Sequence, residues 1–138
     1  MAGPGGGLRL RLAAAGDATA QEAWDRYART SRWSQWSPQV RSTSLPAHLA
    51  SGAEGVVVGP LGLRVAASVG EVEQAARRWA WTVRLARPAL PGVRLRLEHE
   101  VVARGSGCAT SLVLDGPAPV VLGYALPARL AIGRLVRA

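Results

Sequence analysis

Two neighbouring segments near the middle of the chain alternate strictly between apolar and polar positions, which is the two-residue period of a β-strand. In residues 77–85 the apolar side chains on one face are Trp79, Trp81, Val83 and Leu85. In residues 93–101 every odd position is apolar except His99, and every even position is charged. With a turn expected at residues 88–92, the pattern predicts two paired strands whose apolar face must be covered by another element or by a ligand.

Shorter runs predict the remaining strands. Residues 8–12 alternate leucine with arginine, residues 63–70 alternate apolar with small or charged positions, and residues 108–115 follow a glycine-rich hairpin loop. Residues 56–58 are a short valine strand, and residues 71–76 are expected to form the turn into the strand of Trp79. Residues 40–45 predict a weak, polar strand at the edge of the sheet.

Two short helices are expected between the first and second strands. Thr19 and Glu22 have the spacing of a capping box, which predicts a helix start. The apolar residues that follow lie at i, i+3, i+4 and i+7 on one stripe: Ala20, Ala23, Trp24 and Tyr27. A second short helix or turn holds Trp33 and Trp36. We expect the tryptophans of this region to form a plug against the sheet.

The C-terminal part predicts one long amphipathic helix that opens at Pro117 and Pro119, since proline suits a first helical turn. A kink is expected at Pro127. A narrower stripe of leucines lies near the arginine side: Leu122, Leu126 and Leu130. The apolar face of the helix comprises Val120, Val121, Tyr124, Ala128, Ala131, Ile132 and Leu135.

The predicted order is one strand, two short helices, six strands and a long helix, which is typical of an α+β arrangement of two layers. A length of 138 residues fits a single domain, expected at 8–138, after a glycine-rich leader at 1–7 that is expected to be disordered. The order contains no βαβ alternation, so a parallel sheet is not expected.

Composition narrows the function classes. The net charge of +8 suggests that the protein binds nucleic acid. However, all 17 basic residues are arginines, they are spread along the strands and helices, and GC-rich codon usage would produce the same composition. We therefore expect no nucleic-acid site. The single Cys108 excludes an internal disulfide and a cysteine metal cluster. No cofactor, metal site, signal peptide or integral membrane segment is expected, and a cytoplasmic location is the default.

These elements, with the residues on them, resemble the START/Bet v 1-like superfamily, often labelled SRPBCC, and within it the bacterial polyketide cyclase/dehydrase-like branch. The resemblance covers residues 8–138. It rests on the order of several motifs: Ala23-Trp24 and Tyr27, the W-x-x-W-x-P segment from Trp33 to Pro38, Gly52 and Gly55, Trp79-Ala-Trp81, Leu97-Glu-His99, the G-x-G-x-x-T turn of Gly105, Gly107 and Thr110, and Asp115-Gly116-Pro117.

The resemblance implies a helix-grip fold, in which a curved seven-stranded antiparallel sheet wraps around the C-terminal helix and leaves a cavity for a hydrophobic small molecule. Binding of a lipid, polyketide or polycyclic aromatic is the leading hypothesis. One alternative is a polyketide cyclase/dehydrase-like enzyme. A second is a regulatory or interaction protein without a ligand, and a third possibility is that Trp79 and Trp81 fill the cavity.

His99 and Tyr124 are the candidate catalytic residues. His99 on the apolar face suits a general acid/base or an anchor for a carbonyl, and the alternative is a core histidine bonded to Tyr124 or to a backbone carbonyl. Tyr124 can polarise a ligand carbonyl or simply pack. The candidate ligand-binding residues are Trp79, Trp81, Val83, Leu97, His99, Thr110, Leu112, Val121, Tyr124 and Ala128.

The polar face of the sheet carries a row of arginines that is expected to be a solvated convex surface. Its members are Arg9, Arg11, Arg64, Arg84, Arg94 and Arg96. Glu98 and Glu100 alternate with them and are expected to form cross-strand pairs. Docking to an acidic partner, such as a carrier protein or an anionic membrane, is the functional alternative for the arginine face. A homodimer is a separate alternative for the partner.

Overall fold

The computed structural model describes residues 7–85 and 93–138. One seven-stranded antiparallel sheet, ordered β1-β7-β6-β5-β4-β3-β2, is covered by a long C-terminal helix, which confirms the predicted helix-grip fold. The strands are β1 Gly7–Gly16, β2 Ser42–Thr43, β3 Glu54–Val58, β4 Arg64–Glu73, β5 Arg78–Leu85, β6 Arg94–Arg104 and β7 Gly107–Pro117. The helices are α1 Ala20–Ala28, α2 Trp33–Trp36 and α3 Ala118–Leu135, with 3-10 turns at Thr30–Arg32 and Pro60–Gly62.

The alternation along β5 and β6 places Trp79, Trp81, Leu95 and Leu97 in the core, as predicted. Trp79 lies opposite His99 and Trp81 lies opposite Leu97, and all four side chains are buried. The turn expected at residues 88–92 and most of the leader at 1–7 lie outside the described residues, although β1 already begins at Gly7.

Two strand predictions need correction. The segment 71–76 was expected to be a turn, but β4 continues to Glu73 because its register with β5 shifts between Val69 and Val72, which inserts one extra residue without ending the strand. The weak strand expected at 40–45 shrinks to Ser42–Thr43 at the edge of the sheet. Its ends, Val40 and Leu45, are buried in the core instead.

The α1 capping box is present as predicted. The Glu22 amide donates to the Thr19 hydroxyl over 3.1 Å, and the Thr19 amide donates to a Glu22 carboxylate oxygen over 2.9 Å. These bonds lower the pKa of Glu22. All four residues of the predicted apolar stripe are buried, so α1 packs flat against β6 and β7.

The long helix α3 packs most closely on β1 and β7 and runs through Pro127 without a break. Its leucine stripe points outward, with Leu122, Leu126 and Leu130 each more than half exposed. No helix within the described ranges is both long and apolar enough to cross a membrane. Because α3 leans toward the β1 side, space remains between its N-terminal half and strands β3 to β6.

A clasp holds the C-terminal end of α3 against the β1–α1 corner. The Arg26 guanidinium Nη1 lies 2.6 Å from the carbonyl oxygens of Leu135 and Arg137, and the Ala18 amide donates to Val136 over 3.0 Å. A cation that bonds the last carbonyls of a helix also complements its dipole.

Replacing Arg26 with methionine is expected to lower the free energy of unfolding by about 2 kcal/mol, since hydrogen bonds from a charged donor are among the stronger ones in proteins. Methionine keeps the apolar stem and removes the charge. Urea denaturation followed by tryptophan fluorescence measures the change. Arg129→Met, at an exposed position of α3, is the control and should change stability by less than about 0.5 kcal/mol.

The G-x-G-x-x-T motif of Gly105, Gly107 and Thr110 is explained by the structure of the β6–β7 hairpin. Gly105 adopts a φ of +60° in the β6–β7 hairpin, where a side chain would be strained. A side chain at Gly107 would collide with the backbone oxygen of Gly16 on β1. The Thr110 hydroxyl donates to the Glu100 carbonyl over 2.8 Å. The motif therefore fixes the end of the sheet rather than a ligand.

Candidate functional site

A cluster of aromatic rings joins the short helices to the apolar face of β5 and β6. The Trp33 ring stacks on Trp79 with centroids 5.7 Å apart and meets Trp81 edge to face at 5.1 Å. Tyr27 contacts Trp36, Trp79 and His99 in edge-to-face geometry. Such pairs add stability beyond the area that they bury. The predicted tryptophan plug is therefore present, but Trp24 lies outside this cluster and donates to Gln74 over 2.6 Å.

His99 is a core histidine that bonds a backbone carbonyl. Its ring lies parallel to Trp79, with centroids 4.0 Å apart, and its Nδ1 lies 3.2 Å from the Trp79 carbonyl oxygen. A carbonyl only accepts, so this contact assigns the proton to Nδ1 and the lone pair to Nε2. Burial lowers the pKa of His99 to about 3, although the carbonyl partly opposes that shift.

Tyr124 is a residue of α3 and contacts the loop that follows α2. Its hydroxyl accepts a hydrogen bond from Gln39 Nε2 over 3.1 Å, and burial raises the pKa of the phenol. The bond ties the middle of α3 to residue 39. Tyr124 and Gln39, together with Val40 and Trp81, separate an inner chamber from an outer cavity, since these four residues line both.

The inner chamber is nearly filled by the aromatic cluster. Its volume is about 40 Å³, and it is lined by residues of the cluster together with side chains from β6, β7 and α3. That space suits a water molecule or two rather than a lipid or a polycyclic ring. Trp79 and Trp81 thus fill the place where the sequence alone suggested stacking on a ligand.

The outer cavity is larger and opens between α3 and the strands from β3 to β6. Its volume is about 290 Å³, near the lower end of small-molecule sites. The apolar residues that line it are Val40, Val57, Pro60, Leu63, Val65, Trp81, Val83, Val93, Leu95 and Val120. Only two charged residues, Arg84 and Arg94, line it in the described part of the chain.

The predicted ligand-binding residues divide between these spaces. Trp81, Val83 and Tyr124 line the outer cavity. Five others line only the inner chamber: Trp79, Leu97, His99, Leu112 and Ala128. Thr110 and Val121 line neither, because Thr110 bonds Glu100 and Val121 is fully packed in the core. The structure thus moves the candidate site toward the end of β5 and the beginning of β6.

Several cavity residues were not predicted. Gln39 lies in an irregular loop, where no periodicity shows which way a side chain faces, and Val40 begins the segment that was expected to be a polar edge strand. Val57 and Val65 could have been found, because alternation along β3 and β4 places both on the face that α3 covers. Arg84 and Arg94 were assigned to the convex face of the sheet, which is where the alternation of β5 and β6 places their side chains, and both residues also border the end of the cavity.

Four buried polar atoms of this region have no hydrogen-bond partner among the described residues: Tyr27 Oη, Gln39 Oε1, Trp79 Nε1 and Trp81 Nε1. Burial of such a group without a partner costs free energy, so each one calls for an explanation. Gln39 and Trp81 line both the inner chamber and the outer cavity, but these two atoms are shielded from solvent.

The arrangement provides recognition more readily than acid–base chemistry. A pKa near 3 leaves the His99 imidazole neutral and weakly basic at neutral pH, and His99 does not line the outer cavity. Within the described ranges, no three histidine, cysteine, aspartate or glutamate side chains gather as a metal site requires.

Comparisons with known proteins agree with this architecture. Ara h 8.0201, known from a crystal structure, superposes with a TM-score of 0.75 at 8% sequence identity, covering 94% of this chain and 95% of that one. A protein of Thermobifida fusca solved by solution NMR superposes with a TM-score of 0.70 at 23% identity, covering 93% and 90%. No curated protein sequence matches. At these identities the two structures establish the fold alone.

The sequence profile of one family matches residues 10–138, nearly the whole chain, and that family is described as polyketide cyclase / dehydrase and lipid transport. The match includes every element around the two cavities. The chain therefore belongs to the polyketide cyclase/dehydrase and lipid transport family, within the SRPBCC superfamily.

Proposed function

We propose that this protein binds a hydrophobic small molecule in the outer cavity. The observation that carries the proposal is the 290 Å³ space between α3 and strands β3 to β6, whose lining is predominantly apolar. Apolar surface that remains beside a well-packed core favours an apolar occupant, because transfer of the ligand from water releases free energy in proportion to the area buried. The family description, which includes lipid transport, supports the same class of ligand.

Two polar side chains, Gln39 and Trp81, line the outer cavity. Gln39 Oε1 and Trp81 Nε1 have no hydrogen-bond partner among the described residues, but both atoms are shielded from solvent and therefore also from the space of the cavity. The apolar wall therefore provides most of the recognition, and the candidate ligands are a lipid, a polyketide or a polycyclic aromatic.

Titration with N-phenyl-naphthylamine, a neutral apolar dye, tests the proposal. The dye should bind in one-to-one stoichiometry, with enhanced and blue-shifted emission. Native mass spectrometry of the freshly purified protein should show a small molecule that is lost on denaturation, or an apo protein that takes up the dye. An apo protein that binds neither the dye nor any member of a panel of fatty alcohols would overturn the proposal.

A further inference from the structure

The outward face of α3 carries a stripe of exposed leucines. Leu122, Leu126 and Leu130 recur every fourth residue along the helix, and they are 62%, 70% and 54% exposed. Only six large hydrophobic side chains are exposed among the described residues, and three of the six belong to this stripe. Single exposed apolar side chains are common on protein surfaces, whereas a contiguous group of them marks an interaction site.

Arginines lie on both sides of the leucine stripe. Successive residues of an α-helix turn by about 100°, which places Arg129 on one flank of the stripe and Arg134 on the other. Both arginines are exposed. Residues 116–138 contain no aspartate or glutamate, so α3 supplies no side chain that could balance the positive charge. The outward face of α3 is therefore apolar along its centre and positively charged along its edges.

The rest of the chain does not complement this face. Asp17, which lies beside the end of α3, accepts a hydrogen bond from the Ala138 amide over 2.9 Å. The segments outside the described ranges, residues 1–6 and 86–92, contain no acidic residue. A second copy of the chain that paired its own α3 with this one would bring like charges together, which disfavours such a dimer. The charge of the face therefore favours an anionic partner.

A narrow ridge of leucines fits a lipid surface better than a second protein. A stable protein interface buries about 800 Å² on each partner, which three side chains on one convex helix face cannot provide. A bilayer adapts to a ridge, since apolar side chains enter the boundary between headgroups and acyl chains while basic side chains remain at the headgroups. Anionic headgroups add an electrostatic attraction for each arginine close to the surface.

We infer that the outward face of α3 docks this protein on an anionic lipid surface. Leu122, Leu126 and Leu130 enter the acyl boundary, and Arg129 and Arg134 contact the headgroups. Docking of this kind is peripheral and reversible, because it depends on a few side chains. The inference goes beyond the proposed function and does not depend on it, since none of these five residues lines the outer cavity.

Cosedimentation with large unilamellar vesicles tests the inference. Wild-type protein should bind vesicles made of equal parts of phosphatidylcholine and phosphatidylglycerol at least about 10-fold more tightly than vesicles of phosphatidylcholine alone. Added salt should remove most of this difference, because it screens the attraction between the arginines and the headgroups. Equal affinity for the two kinds of vesicle, or no binding to the anionic vesicles, would overturn the inference.

A triple variant tests the leucines. Leu122→Gln/Leu126→Gln/Leu130→Gln should bind the anionic vesicles at least about 10-fold more weakly than the wild type, because it removes the apolar contact and keeps every charge. Glutamine is a good helix former and all three positions are exposed, so the variant should fold, which near-ultraviolet circular dichroism verifies. Undiminished binding by the folded triple variant means that α3 is not the docking surface.

A double variant tests the arginines. Arg129→Gln/Arg134→Gln should lose the preference for anionic vesicles, whereas Arg11→Gln/Arg64→Gln, which removes the same charge from exposed positions on the sheet, should keep it. An equal loss in both double variants would attribute binding to net charge and contradict the inference. A wild-type dimer in sedimentation equilibrium that the leucine variant dissociates would also contradict it, because a second copy would then cover the face. Each of these failures leaves the proposed function in place, since dye binding tests the cavity separately.

Discussion

Replacing Val83 with tryptophan is expected to reduce the affinity for apolar ligands by at least about 100-fold. Val83 lies on the face of β5 that α3 covers, is half-buried and lines the outer cavity. An indole at this position would occupy the centre of a 290 Å³ space, next to Trp81, which already forms its inner wall. A ligand would then have to displace the indole or remain outside, and either alternative removes most of the apolar contact that stabilises the complex.

The expected loss corresponds to about 2.7 kcal/mol of binding free energy and is measured by titration with N-phenyl-naphthylamine. Val113→Trp is the matched control, because Val113 lies on the opposite face of the sheet and lines neither the inner chamber nor the outer cavity. Val83→Ala enlarges the outer cavity and should retain binding of the dye. Near-ultraviolet circular dichroism verifies that each variant is folded. Undiminished affinity in a folded Val83→Trp protein would show that the ligand binds elsewhere.

The fold could be predicted from the sequence because its signals are local and repeated. Strict alternation along β5 and β6 fixed which face is buried, and the Thr19–Glu22 spacing fixed the start of α1. The end of β4 was mispredicted because a register shift between Val69 and Val72 lets the strand continue where simple alternation stops. Periodicity shows which face a residue occupies, but it does not show where a ladder becomes irregular.

The candidate site was harder to predict, because a cavity depends on how side chains from distant elements divide the same space. Trp79 and His99 face the core, as expected, but Tyr27 and Trp33 come from α1 and α2 and fill the space beside them. The outer cavity remains where α3 lies away from the strands β3 to β6. The local pattern of apolar residues does not show how a helix tilts over a sheet. The sequence therefore identifies the face of the sheet that lines a cavity, but not the volume between that face and the helix.

The surroundings of His99 in the structure change the interpretation of this residue. From the sequence, a histidine on an apolar face was compatible with general acid/base catalysis, and its depressed pKa alone would not decide the question. The parallel stack on Trp79 and the bond from Nδ1 to the Trp79 carbonyl indicate that the ring completes the core. The role of a buried neutral histidine can be read from the pH dependence of stability.

Stability should fall as the pH decreases below about 6.5, and His99 should account for much of the loss. Its pKa is about 3 in the folded protein and about 6.5 in the unfolded chain. Between these values the unfolded state binds a proton that the folded state does not, so the free energy of unfolding decreases as the pH falls and is fully retained above about 6.5. The linkage predicts about 2 kcal/mol less stability at pH 5 than at pH 8.

Urea denaturation at pH 5, 6, 7 and 8 measures this dependence. His99→Asn keeps a donor near the Trp79 carbonyl but removes the titrating group, and His99→Phe keeps the aromatic stack. In whichever of these variants folds, the free energy of unfolding should decrease much less between pH 8 and pH 5 than in the wild type. His48→Gln is the control, because His48 is exposed and its removal should leave the decline as in the wild type. If the decline persists in both His99 variants, proton linkage at the core ring is not its cause, and the acid sensitivity must originate in the carboxylates. If it disappears, His99 is confirmed as a neutral part of the core, and the search for chemistry in this protein moves to the outer cavity.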